Sequence, residues 1–171
     1  IHLKLKQRAN IKNLLTIIVP RNIKRSLKIK NKIKLNIPST QLFQSKSIPR
    51  NTEIIIDDSV GQLEIWYKKI KTVFLGKSLP PRGGQNPIEP ARNGCAIISG
   101  KMSNFQEIEN EMLNSNCILK TDNDEKFYSI AKDCIKGSSH ITNVRKNAKK
   151  YVKSKSYILD KTIKAIRIHL I

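Results

Sequence analysis

Thr72-Val73-Phe74-Leu75-Gly76-Lys77-Ser78-Leu79-Pro80-Pro81-Arg82-Gly83-Gly84-Gln85-Asn86-Pro87-Ile88-Glu89-Pro90 reads as a strand, a loop and a helix start. The short apolar run over 72–76 is a strand bounded by glycine. Asn86 stands at the N-cap and Pro87 at the first helical position, where a missing N–H costs nothing. The helix is expected over 86–93, with Gly94 as its stop and a further strand over 95–99. The adjacent glycines Gly83 and Gly84 let backbone approach a ligand, and the helix opening at Asn86 presents N–H groups to a phosphate or carboxylate. Glu89 can accept two sugar hydroxyl protons. The same residues also read as a Gly-Pro turn in which Glu89 only complements the helix dipole.

Working outward, strands are expected over 14–19, 53–57 and 116–120, and helices over 25–35, 61–70, 103–114 and 123–135. A helical tail follows from His140, with Val144, Ala148, Tyr151, Ile158, Ile163 and Ile166 available to pack. Ser103 and Gln106 have capping-box spacing, with Phe105, Ile108 and Met112 on one face of the helix they would open. Alternating strands and helices with short connections predict an α/β fold, a doubly wound parallel sheet covered on both faces. Ligands of such sheets sit at the carboxyl ends of the strands, so the loops after Val19, Asp57, Gly76 and Ser99 are where chemistry is expected.

Two of those loops add candidates. In Asp57-Asp58-Ser59-Val60-Gly61-Gln62-Leu63, Ser59 or Asp58 can cap the next helix. In Val19-Pro20-Arg21-Asn22-Ile23-Lys24-Arg25, two arginines near one rim can neutralise a phosphate or stack on a base.

The 171 residues suffice for one ordinary domain, and their formal charge of +20 demands that an acidic partner be considered. The charge sits at the ends. Residues 1–50 carry nine Lys and four Arg with no acid, and 136–171 carry ten basic side chains against one acid, whereas 51–135 are nearly balanced. Those ends are solvated faces or contact surfaces. The nine aromatic side chains do not interleave with the basic ends, and no zinc-finger or RNP-like pattern occurs, so a basic nucleic-acid-binding module is the weaker alternative. No apolar run approaches the roughly 20 residues of a membrane span. Cys95, Cys117 and Cys134 are too scattered for a disulfide framework or a zinc site and read as buried free thiols in a reducing cytoplasm. His2, His140 and His169 are read as surface side chains, and neither a metal nor a cofactor is expected.

Thr16-Ile17-Ile18-Val19-Pro20-Arg21, Asp58-Ser59-Val60-Gly61-Gln62-Leu63, Val73-Phe74-Leu75-Gly76, Gly83-Gly84-Gln85-Asn86-Pro87-Ile88-Glu89-Pro90-Ala91 and Asn104-Phe105 together resemble the carboxyl-terminal domain of 3-deoxy-D-manno-octulosonic acid (Kdo) transferase. The resemblance is strongest over 53–135, reaches back to Leu14 and fades in the tail. It implies the donor-binding, Rossmann-like half of a GT-B glycosyltransferase on the cytoplasmic face of the bacterial inner membrane, passing Kdo from CMP-Kdo to a lipid A precursor. It also implies that residues 14–138 form the nucleotide-sugar-binding domain, after a basic leader or truncated start over 1–13 and before a basic helical tail over 139–171.

Carried over by motif position, the donor-nucleotide-binding residues are Pro20, Arg21, Ser59, Gly61, Gln62, Gly83, Gly84, Asn86 and Glu89. Arg21 faces the cytidine, Asn86 and Glu89 the ribose, and Ser59, Gly61 and the 83–86 turn the phosphate. The resemblance puts the catalytic base and the acceptor site on an amino-terminal domain, so none of these residues is catalytic. Ile1 in place of Met suggests a fragment. A separate polypeptide supplying that half and an anionic membrane surface are the other expected partners.

The chain departs from the family pattern at Asn22, where a histidine is usual, and at Gln62, Glu64, Lys77, Gln85 and Lys101. With the base elsewhere, the chain alone is expected not to catalyse transfer. An inactive remnant is the alternative.

Overall fold

The computed structural model describes residues 1–45, 47–79 and 83–168, with backbone alone at 159 and 160. Pro80, Pro81 and Arg82 of the glycine loop, and His169 and Leu170 of the tail, lie outside the described residues. The chain divides into two compact units, 1–66 and 67–171.

The first unit contains α1 (His2–Arg8), β1 (Thr16–Ile18), α2 (Ser26–Lys34), β2 (Thr40–Leu42) and β3 (Ile54–Ile56). The strands form a parallel sheet in the order β1-β3-β2, with Ile55 in register with both Ile17 and Gln41. β3 is buried on both faces, which is why it is an unbroken Ile-Ile-Ile run and not an alternating one. Ile54 and Ile56 form a core with Ile37, and Ile29 and Ile33 of α2, one helical turn apart, pack against it. Each fully buried isoleucine contributes about 1.5–3 kcal/mol. Lys28 and Lys32 take the exposed side of α2.

Two expectations change here. His2, expected at the surface, lies on α1 beside the buried Leu5 with its side chain only 7% exposed. His2 Nδ1 lies 2.9 Å from Thr16 Oγ1 and Nε2 3.0 Å from Glu53 Oε2, while Lys6 Nζ is 2.7 Å from Glu53 Oε1. Strand β2, which periodicity did not mark, pairs along the edge of β3.

The second unit contains β4 (Thr72–Phe74), α4 (Ile88–Arg92), β5 (Ala96–Ser99), α5 (Gln106–Asn114), β6 (Leu119–Lys120), α6 (Asp124–Lys136), α7 (Ser139–Ser154) and α8 (Tyr157–Arg167). Helix α3 (Leu63–Lys69) crosses the division. The parallel order is β4-β5-β6, and β5, wholly buried, is the central strand. Ile141, Val144, Ala148 and Tyr151 line the buried face of α7, which packs on α4 and β5. Arg145 Nε donates to Gly94 O at 2.7 Å, tying α7 to the turn after α4. Helix α6 lies one residue along from the span read as 123–135, with caps that periodicity did not name: Asn123 Oδ1 accepts from Lys126 N, and Gly137 closes the helix at φ 71°.

The capping box at Ser103 does not form. Residues Ser103–Phe105 make a 3₁₀ turn, and α5 opens at Gln106 without a side-chain cap bond. In the tail, Val144, Ala148 and Tyr151 are buried, and Ile158, Ile163 and Ile166 of α8 are exposed, the apolar face that the tail is expected to leave without a partner. All three cysteines are buried and unpaired. The parallel α/β layering follows the sequence reading, in two three-stranded ladders. Among the described residues, no helix is long and apolar enough to cross a membrane.

Candidate functional site

In the first unit the chain leaves β1 and β3 at their carboxyl ends and encloses a cleft of about 230 Å³. Pro20 and Arg21 line it from the first loop, and Ser59, Gly61 and Gln62 from the second. Five of the nine expected donor-binding residues are thus brought together. Gly61 has φ +80°, a conformation that L side chains rarely adopt, so the glycine is needed for the backbone itself.

The second loop is held by a residue that spacing alone had not singled out. Asp57 is buried, continues the ladder through its N–H to Ile18 O at 2.8 Å, and spends its carboxylate on three donors. Oδ1 accepts from Ser59 N at 2.8 Å and from the Ser59 hydroxyl, and Oδ2 accepts from Trp66 Nε1 at 2.6 Å. Phe43 meets the Trp66 ring edge-on at 5.0 Å. Neither Ser59 nor Asp58 caps α3 in the expected way: Ser59 donates to Asp57, and Asp58 Oδ1 accepts from Gln44 N. With both its N–H and hydroxyl proton committed to Asp57, Ser59 offers a ligand only acceptor lone pairs. In the first loop, Asn22 Oδ1 accepts from Lys24 N, capping the 3₁₀ turn Ile23–Arg25, and leaves Arg21 exposed.

In the second unit, Gly83 and Gly84 have φ +94° and +71°. A Cβ on Gly83 would lie 2.4 Å from Asn104 Nδ2, and one on Gly84 2.8 Å from Met102 Cγ, so both glycines are required for close approach as well as for conformation. Gly84 N donates to Lys77 O and Asn104 N to Gly83 O, each at 3.1 Å. Asn86 Oδ1 accepts from Ile88 N at 3.0 Å, and α4 starts one residue later than read, with Pro87 as N-cap. Glu89 is exposed in its first turn. At five residues, α4 has too few aligned peptides to supply the full end charge of a long helix. Burial, then the Glu89 charge, pushes the Tyr67 hydroxyl up to about 12.

Sequence reasoning also missed the ties behind this turn. Ser78 Oγ donates to Leu75 O and accepts from Gly100 N at 2.9 Å, and a Cβ on Gly100 would lie 1.9 Å from Ser78 O. Glu109, buried on α5, accepts from Met102 N at 2.8 Å and from Lys120. These partners stand 22, 7 and 11 residues apart, with no periodic signal to connect them. Among the described residues, no group of three or more His, Cys, Asp or Glu is placed to hold a metal ion.

No protein-family model matches the chain. It is 36% identical over 106 residues to the 3-deoxy-D-manno-octulosonic acid transferase of Haemophilus influenzae, covering 58% of this chain and 24% of the relative. It is 28% identical over 161 residues to the probable mitochondrial 3-deoxy-D-manno-octulosonic acid transferase of Arabidopsis thaliana, covering 90% of this chain and 36% of that protein. The chain therefore spans about a quarter to a third of the length of these relatives. Its fold matches the crystal structure of the C-terminal CMP-Kdo binding domain of WaaA from Acinetobacter baumannii with a TM-score of 0.71 at 22% identity, over 87% of this chain and 94% of that one.

Proposed function

We propose that this chain, similar in sequence to Kdo transferases and in fold to a C-terminal CMP-Kdo binding domain, is the donor-binding part of a glycosyltransferase that carries Kdo from CMP-Kdo to a lipid A precursor. The observation that carries this reading is the cleft at the ends of β1 and β3, where Pro20, Arg21, Ser59, Gly61 and Gln62 meet. On this reading the nucleotide-sugar-binding part spans 14–138, and the basic helices α7 and α8 follow it.

The chemistry asks this part to hold the leaving group. As the glycosidic bond breaks, charge grows on the CMP phosphate, and preorganised donors stabilise it. Ser59 is not one of them, since Asp57 takes its protons. The donors in the first unit are the Gly61 backbone, the Gln62 amide and the exposed Arg21 guanidinium, which also reaches the cytidine side. The other residues carried over by motif position, Gly83, Gly84, Asn86 and Glu89, belong to the second unit. Deprotonation of the acceptor hydroxyl falls to a base outside these residues, so the chain alone binds donor without turning it over. A separate polypeptide can supply that half. The work is done at the cytoplasmic face of the inner membrane, where the basic ends and α8 meet anionic lipid headgroups.

The test is a calorimetric titration of the folded chain with CMP, against UMP and a short oligonucleotide. CMP-selective binding is expected, weakened about tenfold by Arg21→Ala for the loss of one charge-assisted contact. Equal affinity for UMP, or binding of the oligonucleotide alone with strong salt dependence, overturns the reading.

A further inference from the structure

The turn at Gly83-Gly84 is shaped from behind. Met102 lies against Gly84 and Asn104 against Gly83, and Asn104 N bonds Gly83 O at 3.1 Å. The segment carrying those two residues leaves β5 at Gly100 and is held at three points. Gly100 N is bound by Ser78 Oγ, Gly100 O by Lys120 Nζ, and Met102 N by Glu109 Oε2 at 2.8 Å. Lys120 Nζ closes the arrangement by donating to Glu109 Oε1 and standing 3.5 Å from Ser99 Oγ.

A carboxylate as buried as Glu109 is costly without a partner, and an apolar pair of similar volume would serve stability as well or better. What an apolar pair cannot do is fix the Gly100 carbonyl and the Met102 N–H at once. We propose that Glu109 and Lys120 are positioning residues. They pin the 100–104 segment so that Met102 and Asn104 hold the Gly83-Gly84 turn in the one shape that admits the donor. The proposal rests on the donor-binding reading for its use, and on the hydrogen bonds above for its geometry.

The decisive variant is the double change Glu109→Leu with Lys120→Met, which removes the pin and leaves no buried unpaired charge. Glu109→Gln, Lys120→Arg and Tyr151→Phe accompany it, the last removing a hydrogen bond of α7 elsewhere in the same unit. Two readouts are taken on the full chain: amide hydrogen exchange at Gly84 and Asn104 without ligand, and CMP affinity. The double variant leaves the Met102 N–H and the Gly100 carbonyl without their partners, so it is expected to melt below the wild type while remaining folded, to exchange at those two amides at least tenfold faster relative to the other protected amides of the unit, and to bind CMP about tenfold more weakly. Lys120→Arg, which keeps the charge and the donors, is expected to restore both, and Tyr151→Phe to move neither.

If the double variant keeps wild-type exchange at Gly84 and Asn104, the proposal is overturned, whatever its affinity. If the wild type binds no CMP while the exchange result stands, the donor reading falls and the positioning of the turn survives. Wild-type CMP affinity in a double variant with faster exchange shows that the pin does not serve the donor, and also overturns the proposal.

Discussion

Replacing Asp57 with alanine is the sharpest test of how the first loop pair is built. The carboxylate accepts from Ser59 N, the Ser59 hydroxyl and Trp66 Nε1, and the residue is 1% exposed. A hydrogen bond to a charged group contributes about 1.5–3 kcal/mol, and an orphaned buried donor costs about 1–3 kcal/mol. The Ser59 donors can turn to water because that residue is half-buried, whereas the Trp66 indole N–H is enclosed. Asp57→Ala is therefore expected to cost about 3 kcal/mol, with most of the loss from the stranded indole. At about 2–4 °C per kcal/mol for a chain of this length, the melting temperature falls by about 10 °C. Trp66→Phe keeps the ring packing against Phe43 and costs about 1 kcal/mol. The double variant should cost clearly less than the two singles together, because the phenyl ring leaves no donor behind, and the coupling should be at least about 1 kcal/mol. Urea denaturation followed by circular dichroism measures all four proteins. Trp66, the single tryptophan of the chain, gives an independent fluorescence signal in the two that retain it. A coupling near zero, or an Asp57→Ala loss below about 0.5 kcal/mol, would refute the claim that this carboxylate organises the loop.

Lys77 adopts φ +59°, where the left-handed backbone costs an ordinary residue about 1–2 kcal/mol, so Lys77→Gly is expected to stabilise the chain by about 0.5–1 kcal/mol in the same urea assay. A loss of stability would contradict that strain. Burial pushes the Cys95 and Cys134 thiols up to about 11, so at pH 8 both are expected to resist a thiol reagent until the protein unfolds, and fast labelling of native protein would contradict their packing. Lys6 first, then His2, hold the Glu53 carboxyl below its ordinary value of 4.5, which makes their ion-pair stabilisation fully present above 4.5 and lost as the pH falls through the lowered folded value. The amides of α1 should accordingly exchange faster on acidification in the wild type, a dependence weakened in Glu53→Gln, and identical acid profiles would show that the pair does not anchor the helix.

The parts of the fold that were legible are those whose signal is local. Ile54-Ile55-Ile56 is buried on both faces and so reads as a strand by composition alone, and the stretch read as a helix over 123–135 is α6, one residue off at each end. Strand β2 was not legible because Thr40-Gln41-Leu42 is three residues long with one apolar side chain, and its pairing depends on an edge that only the folded sheet provides. The same limit applies to the site. Glycines at 61, 83 and 84 announce unusual backbone, and they have it. That Asp57 takes the Ser59 proton could not be read, because Trp66, which shares the carboxylate, comes nine residues later. Ser103 and Gln106 have capping spacing, yet the segment before α5 turns as 3₁₀ helix, and the α5 carboxylate that matters is Glu109.

The positions that depart from the family pattern can now be weighed by what each does to the backbone. Asn22, which takes the place of a ring, caps the Ile23–Arg25 turn through its own side chain and so supports the Arg21 loop while removing an imidazole from its rim. Lys77, which takes the place of a glycine, nevertheless holds the left-handed conformation a glycine would adopt, and its carbonyl still receives the Gly84 N–H. Glu64 stands exposed in the first turn of α3, where a carboxylate complements the helix end. Gln62 stays on the cleft wall, and Lys101 points to solvent. In each case the local backbone is accommodated and the functional group is exchanged. On the proposed donor-binding reading, the effect of these changes therefore falls on donor affinity more than on folding. Restoring Asn22→His should then strengthen CMP binding with little change in melting temperature, whereas Gln62→Glu, which trades an amide donor for a carboxylate beside the phosphate, should weaken it. A large stability change without a change in affinity would show that these positions were recruited to hold the loops and not to meet the nucleotide.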